Sequence, residues 1–124
     1  HAVAVHGGYL YAIAGQNTCG GRTSLVEKYD PSANSWSSVA SIPTVRAWLA
    51  AAALGDYIYA IGGETWSGSA YVYLTTNERY DPTANSWSTV ASMPTGRSSA
   101  SVTAAVLISM TVMFNDLLSS VGPI

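Results

Sequence analysis

Apolar and polar positions along the chain fall into short runs with a two-residue rhythm, and the runs come round twice. Residues 9–14, "YLYAIA", and 57–62, "YIYAIG", are apolar on both alternating faces, with Tyr57, Tyr59 and Ile61 on one side and Ile58 and Ala60 on the other. A strand covered on both sides reads as unbroken apolar, β-rich sequence, so each run predicts a buried strand. Before each stands a run of small apolar residues, "HAVAV" at 1–5 and "WLAAAAL" at 48–54, suited to a strand that crowds its neighbours. After each, residues 25–29 and 76–80 alternate polar and apolar and stop at Asp-Pro, where proline withholds its ladder donor. "SWSSVA" at 35–40 and "SWSTVA" at 86–91 predict fourth strands anchored by Trp36 and Val39, and by Trp87 and Val90. His6-Gly7-Gly8 and Gly55-Asp56 supply the first tight reversals, and residues 30–35 and 81–86 the hairpins between third and fourth strands. The expectation is an all-β chain of hairpin-joined, four-stranded units.

The two units are copies. Glu27, Tyr29, Asp30, Pro31, Asn34, Trp36, Pro43 and Arg46 recur fifty-one positions later as Glu78, Tyr80, Asp81, Pro82, Asn85, Trp87, Pro94 and Arg97. Upstream, the second strands repeat at an offset of forty-eight, so the later copy gains three residues between Gly63 and Glu78, where a variable loop is expected. A period near fifty residues marks an architecture whose units stack because none buries its own face. The expected units are 1–46, 47–97 and a partial or degenerate third copy with a divergent tail at 98–124.

Charge narrows the function. Lys and Arg number 5 against 7 Asp and Glu in 124 residues, too few to neutralise a phosphate backbone, and nucleic acid is not an expected partner. The longest apolar-rich stretch, residues 102–114, is shorter than a membrane-spanning helix requires, and no membrane partner is expected. Cys19 is the single cysteine, which excludes an intramolecular disulfide and a cysteine-rich zinc site and fits a reducing, cytoplasmic setting. His1 and His6 make no plausible metal pair. The chain starts inside an apolar run with neither an initiator Met nor a basic segment, and reads as a cut.

With these residues in place, the chain resembles the kelch repeat family, β-propellers with one four-stranded antiparallel blade per repeat. Gly62, Gly63, Glu78, Tyr80, Asp81, Trp87, Met93 and Arg97 carry the resemblance, with Glu27, Tyr29, Asp30, Trp36, Ile42 and Arg46 in the earlier copy. Ala14-Gly15 stands where the family has a glycine pair and is expected to restrict the backbone there. The wording is most like the kelch domains of BTB-kelch proteins, substrate-recognition subunits of cullin-based ubiquitin ligases. The resemblance implies a protein-interaction module, no enzyme and no cofactor. Propellers close with about four to eight blades, so two blades and a fraction imply an incomplete propeller. Such a chain is either a fragment or one part of a self-assembly, three two-blade chains making six blades.

Candidate chemistry is sparse. The carboxylate pairs Glu27 with Asp30 and Glu78 with Asp81 are expected to cap turns, because a catalytic pair needs unlike surroundings and these recur unchanged. "CGGRTS" at 19–24 lacks the lysine and the helix of a phosphate cradle. For partner binding the candidates are Arg46 and Arg97, which the resemblance puts near a channel mouth, with Trp66 and Tyr71 from the longer loop and Trp48 beside Arg46. The partner would be a protein or an acidic peptide. Two structural readings compete: each Arg ties strands by bonding Glu27 or Glu78, and Tyr71 and Tyr73 extend the third strand. A structural, actin-binding role is the alternative function. A fragment of a kelch-like enzyme, such as a galactose oxidase or a sugar isomerase, lacks the histidine cluster that copper would need.

Overall fold

A computed structural model describes residues 1–98, and the third copy and tail expected at 98–124 lie outside the described residues but for Ser98. The described residues hold ten strands and no helix. β1 (Ala2–His6), β2 (Tyr9–Gln16), β3 (Arg22–Asp30) and β4 (Ser35–Val39) form one antiparallel sheet in chain order. β5 (Ala50–Leu54), β6 (Tyr57–Ile61), β9 (Asn77–Asp81) and β10 (Ser86–Val90) form a second sheet of the same pattern. β7 (Glu64–Trp66) and β8 (Tyr71–Tyr73) form a two-stranded hairpin sheet, and Glu64 adds an isolated bridge to Ala47.

The ladder registers repeat as the sequence does. Ala2 faces Ile13 and Ala50 faces Ile61, both forty-eight apart, while Leu10 faces Tyr29 and Ile58 faces Tyr80. The three extra residues of the second copy are therefore absorbed in the β7–β8 hairpin, without a slip that would turn every side chain to the other face. Third strands begin differently from expectation. β3 starts at Arg22, three residues early, because the shorter loop lets β2 and β3 stay paired past a bulge at Ala14. Tyr71 and Tyr73 belong to β8 and are exposed, so they do not extend β9. β5 starts at Ala50, because Trp48 takes a positive φ of 57° and breaks the strand.

The core lies between the sheets. Ala2, Ala4, Tyr11, Ile13 and Val26 of the first sheet meet Ile58, Ala60 and Tyr80 of the second, with Ile42 and Leu49 from the linker. Alanines along β1 and β5 allow these strands to pack closely, as the small-residue runs predict. Turn chemistry is duplicated. Asp30 Oδ1 accepts from the Ser32 and Ala33 amides, Asp81 Oδ1 from those of Thr83 and Ala84, and Asn34 and Asn85 supply the left-handed residue at φ near 50°. The Ser32 hydroxyl and the Ala33 amide hold the Asp30 carboxyl below its ordinary value. Ala14 adopts φ 52° where Gly62 has 64°, a conformation an alanine reaches only under strain.

Candidate functional site

Between the sheets the linker carries Arg46 into the interior. Its guanidinium donates to Glu78 Oε1 at 2.8 Å and to the carbonyls of Gly62 at 2.9 Å, Thr76 at 3.0 Å and Ala60 at 3.1 Å. Glu78 also accepts from the Thr44 hydroxyl. Arg46 is 0% exposed and Glu78 1%, so Arg46 is not a partner-binding residue: the competing reading holds, a buried tie made to Glu78, with no surface to offer a partner. Glu78 accordingly holds the arginine instead of capping a turn. Burial lowers the affinity of Arg46 for its proton and Glu78 opposes that, so the group stays cationic at neutral pH. Nε of Arg46 is buried with no partner among the described residues, a modest desolvation cost accepted for the other four bonds.

A different set of residues meets at the surface. The β2–β3 loop is folded around Asn17, whose Oδ1 accepts from the amides of Cys19 and Gly21 at 3.0 and 2.9 Å. That loop delivers Arg22, which ion-pairs with Glu64 Oε1 and donates to the Gly20 carbonyl. Glu64 is fixed in turn by reciprocal backbone bonds with Ala47 of the linker. In the β7–β8 hairpin Trp66 and Tyr71 lie directly opposite each other and pack edge to face, centroids 4.9 Å apart. The Arg22 guanidinium sits 4.6 Å from the Tyr71 ring centre, within cation–π range. Desolvation pulls the Arg22 pKa down, but Glu64 and Tyr71 outweigh it and raise the pKa above its ordinary value.

The result is a cleft of about 410 Å³ lined by Gly20, Gly21, Arg22, Val45, Thr65, Trp66 and Tyr71. Trp66 is 51% exposed and Tyr71 57%, large aromatic area held in place yet open. Trp48 is also half exposed, but it lines another cavity with His1, Gln16 and Ala47. Arg97 is exposed beyond β10 and contributes nothing to the cleft. Thus the structure joins Trp66 to Tyr71, sets Trp48 and Arg97 elsewhere, and buries Arg46. Sequence reasoning missed Arg22, Glu64 and Val45. Arg22 and Glu64 both lie in the loops that differ between the copies, which was the available signal. Among the described residues no cluster of three or more His, Cys, Asp or Glu could hold a metal, and His6 meets the Gly55 carbonyl across the two tight turns.

Comparison with known proteins bears on this geometry directly. The sequence profile of the Kelch motif matches residues 1–43 and 49–94, one match for each sheet. The chain belongs to the kelch family. Each four-stranded sheet is thus a kelch blade, and the described residues form two blades of an incomplete propeller. Human Kelch-like protein 4 is 37% identical over 86 residues, 69% of this chain and 11% of its own length. An F-box/kelch-repeat protein of Arabidopsis thaliana is 38% identical over 91 residues, 73% of this chain and 19% of its own. This kelch chain therefore spans less than a fifth of the length of either relative. The solved structure of YjhT superposes with a TM-score of 0.69 at 22% identity, over 78% of this chain and 33% of that one, which shows the shared fold. No helix among the described residues is long and apolar enough to cross a membrane.

Proposed function

We propose that the chain is a protein-interaction module whose Trp66–Tyr71 cleft takes a segment of a partner protein, as in the recognition half of a ubiquitin-ligase adaptor. The observation that carries this reading is the exposed aromatic pair, clamped by Arg22 and the Glu64 ion pair, in loops that differ between otherwise matching blades. Rigid Trp and Tyr surfaces give contact area with little ordering cost, and they dominate interface hot spots. Arg46 is committed to Glu78, so an acidic partner residue would meet Arg22 at the wall of the cleft. No catalytic step is assigned. A cytoplasmic setting belongs to the same proposal, as does assembly of three two-blade chains into six blades.

The test is selection of peptides from a displayed random library on the chain, followed by titration against Trp66→Ala and Tyr71→Ala. A recurring motif that loses at least about tenfold in affinity on either variant supports the reading. Absence of any motif, or peptides that bind both variants as they bind the parent chain, overturns it.

A further inference from the structure

The two copies of the repeat have the same residues in different company. In the second blade, Glu78 is buried against Arg46, Asn85 Oδ1 accepts from the Ala40 amide, and Trp87 Nε1 donates to the Ala40 carbonyl. All of these bonds come from the linker at residues 40–46. In the first blade the counterparts are Glu27, Asn34 and Trp36. Glu27 has no ion pair among the described residues, and Trp36 is 56% exposed.

One cavity makes the comparison specific. The four acceptors of Arg46 are Ala60, Gly62, Thr76 and Glu78, and their repeat counterparts are Ala12, Ala14, Leu25 and Glu27. These same four residues line a single cavity of about 360 Å³ on the open face of the first blade. Its lining thus repeats the surroundings that hold a guanidinium in the second blade, carboxylate included. An arginine is the side chain that fits three carbonyls and one carboxylate at once.

The plug is in the chain as well. Residues 93–97, "MPTGR", repeat 42–46, "IPTVR". The backbone of Arg97 is held in the second blade as that of Arg46 is held in the first: the Gly63 amide donates to the Arg97 carbonyl and the Gly15 amide to the Arg46 carbonyl. Met93 and Ile42 likewise donate to Thr75 and Ser24. Arg97 is exposed, with no side-chain partner among the described residues, and no glutamate follows Glu78 within these 124 residues. So among the described residues Glu27 is the repeat glutamate without an arginine, and Arg97 the repeat arginine without a glutamate.

We propose that the cavity around Glu27 is a docking socket for Arg97 of a second copy of this chain, joined head to tail. The contact is heterologous: the socket is lined by the first blade and the plug is held by the second, so chains add in one direction and close when the accumulated rotation completes a ring. This rests on the assembly part of the function proposed above and is independent of partner recognition, because Trp66 and Tyr71 take no part in it.

The experiment is light scattering on the full chain from about 1 μM to about 1 mM, spanning weak to moderate affinities, with Glu27→Arg and Arg97→Ala. Far-UV circular dichroism verifies that each variant keeps its β signal. The parent chain is expected to reach a multiple of its own mass, and each variant to remain a single chain over at least a tenfold higher concentration. Mixing the two variants is the decisive step. Arg97→Ala keeps its socket and Glu27→Arg keeps its plug, so the mixture should give a two-chain complex and nothing larger. The proposal fails if the parent chain stays single throughout, if either variant associates or aggregates as the parent does, or if the mixture stays single. A Trp66→Ala chain should associate normally, which separates a failed cleft from a failed socket.

Discussion

Substituting the same residue at two repeat-equivalent positions gives a controlled measurement of what the neighbouring blade contributes. Glu78→Gln neutralises a carboxylate that is 1% exposed and bonded to Arg46 at 2.8 Å, leaving the arginine as a buried cation among three carbonyls. Breaking one side of a buried pair costs about 3–5 kcal/mol, and because glutamine retains an acceptor oxygen, about 3 kcal/mol is expected. Glu27→Gln makes the same chemical change on an open face where no arginine stands, and should stay within about 0.5 kcal/mol. The gap, about 2.5 kcal/mol, is read from urea unfolding followed by far-UV circular dichroism, as a shift in midpoint at constant slope. The protein must be dilute enough to have the mass of one chain, since docking of a second copy would bury Glu27 too. Equal costs at the two sites, within about 0.5 kcal/mol, would refute the argument that the linker arginine makes the difference.

Trp87→Phe should lose about 1 kcal/mol with its bond to the Ala40 carbonyl, and Trp36→Phe less than half of that, measured in the same unfolding assay. Ala14→Gly should raise stability by about 0.5–1 kcal/mol by relieving the positive φ, and a loss of stability would show that the bulge is unstrained. Burial, aided by Tyr11 and Asp81, pushes the Tyr80 hydroxyl up to about 12 from an ordinary 10.0. A raised folded-state pKa means the unfolded chain releases this proton first, so stability is intact below pH 10 and falls as pH rises toward 12, by on the order of 2 kcal/mol. Tyr80→Phe should flatten that decline in urea midpoints taken at increasing pH.

The blades were legible because each strand has its own rhythm and the second copy verified the first. The three added residues even located the hairpin. What the sequence could not convey was which copy of a repeated residue would be covered. Glu27 and Glu78, or Trp36 and Trp87, are the same letters in the same phrase, and only the presence of a neighbouring blade separates a buried ion pair from an open carboxylate. Arg46 reads both as a partner-binding cation and as a tie to Glu27 or Glu78, and the letters do not say which, since a cation at a strand start reads as surface until a partner from thirty-two residues onward closes over it. The cleft was half visible. Its aromatic wall came from the longer loop of the second copy, whereas the Arg22–Glu64 bond joins loops from two blades that share no pattern.

The β7–β8 hairpin has one further consequence. Its base is fixed by the Leu74 amide on the Gly63 carbonyl, the Gly63 amide on that of Arg97 and the reciprocal bonds of Glu64 with Ala47, while beyond Glu64 its strands pair only with each other. It can therefore open as a local unit of low stability without disturbing the β6–β9 ladder, and exchange its amide hydrogens sooner than the sheet beside it. The same independence makes it a replaceable cassette. Length and sequence between Glu64 and Leu74 can drift, or be exchanged by design, while Glu64 and the geometry that stacks one blade on the next are inherited unchanged.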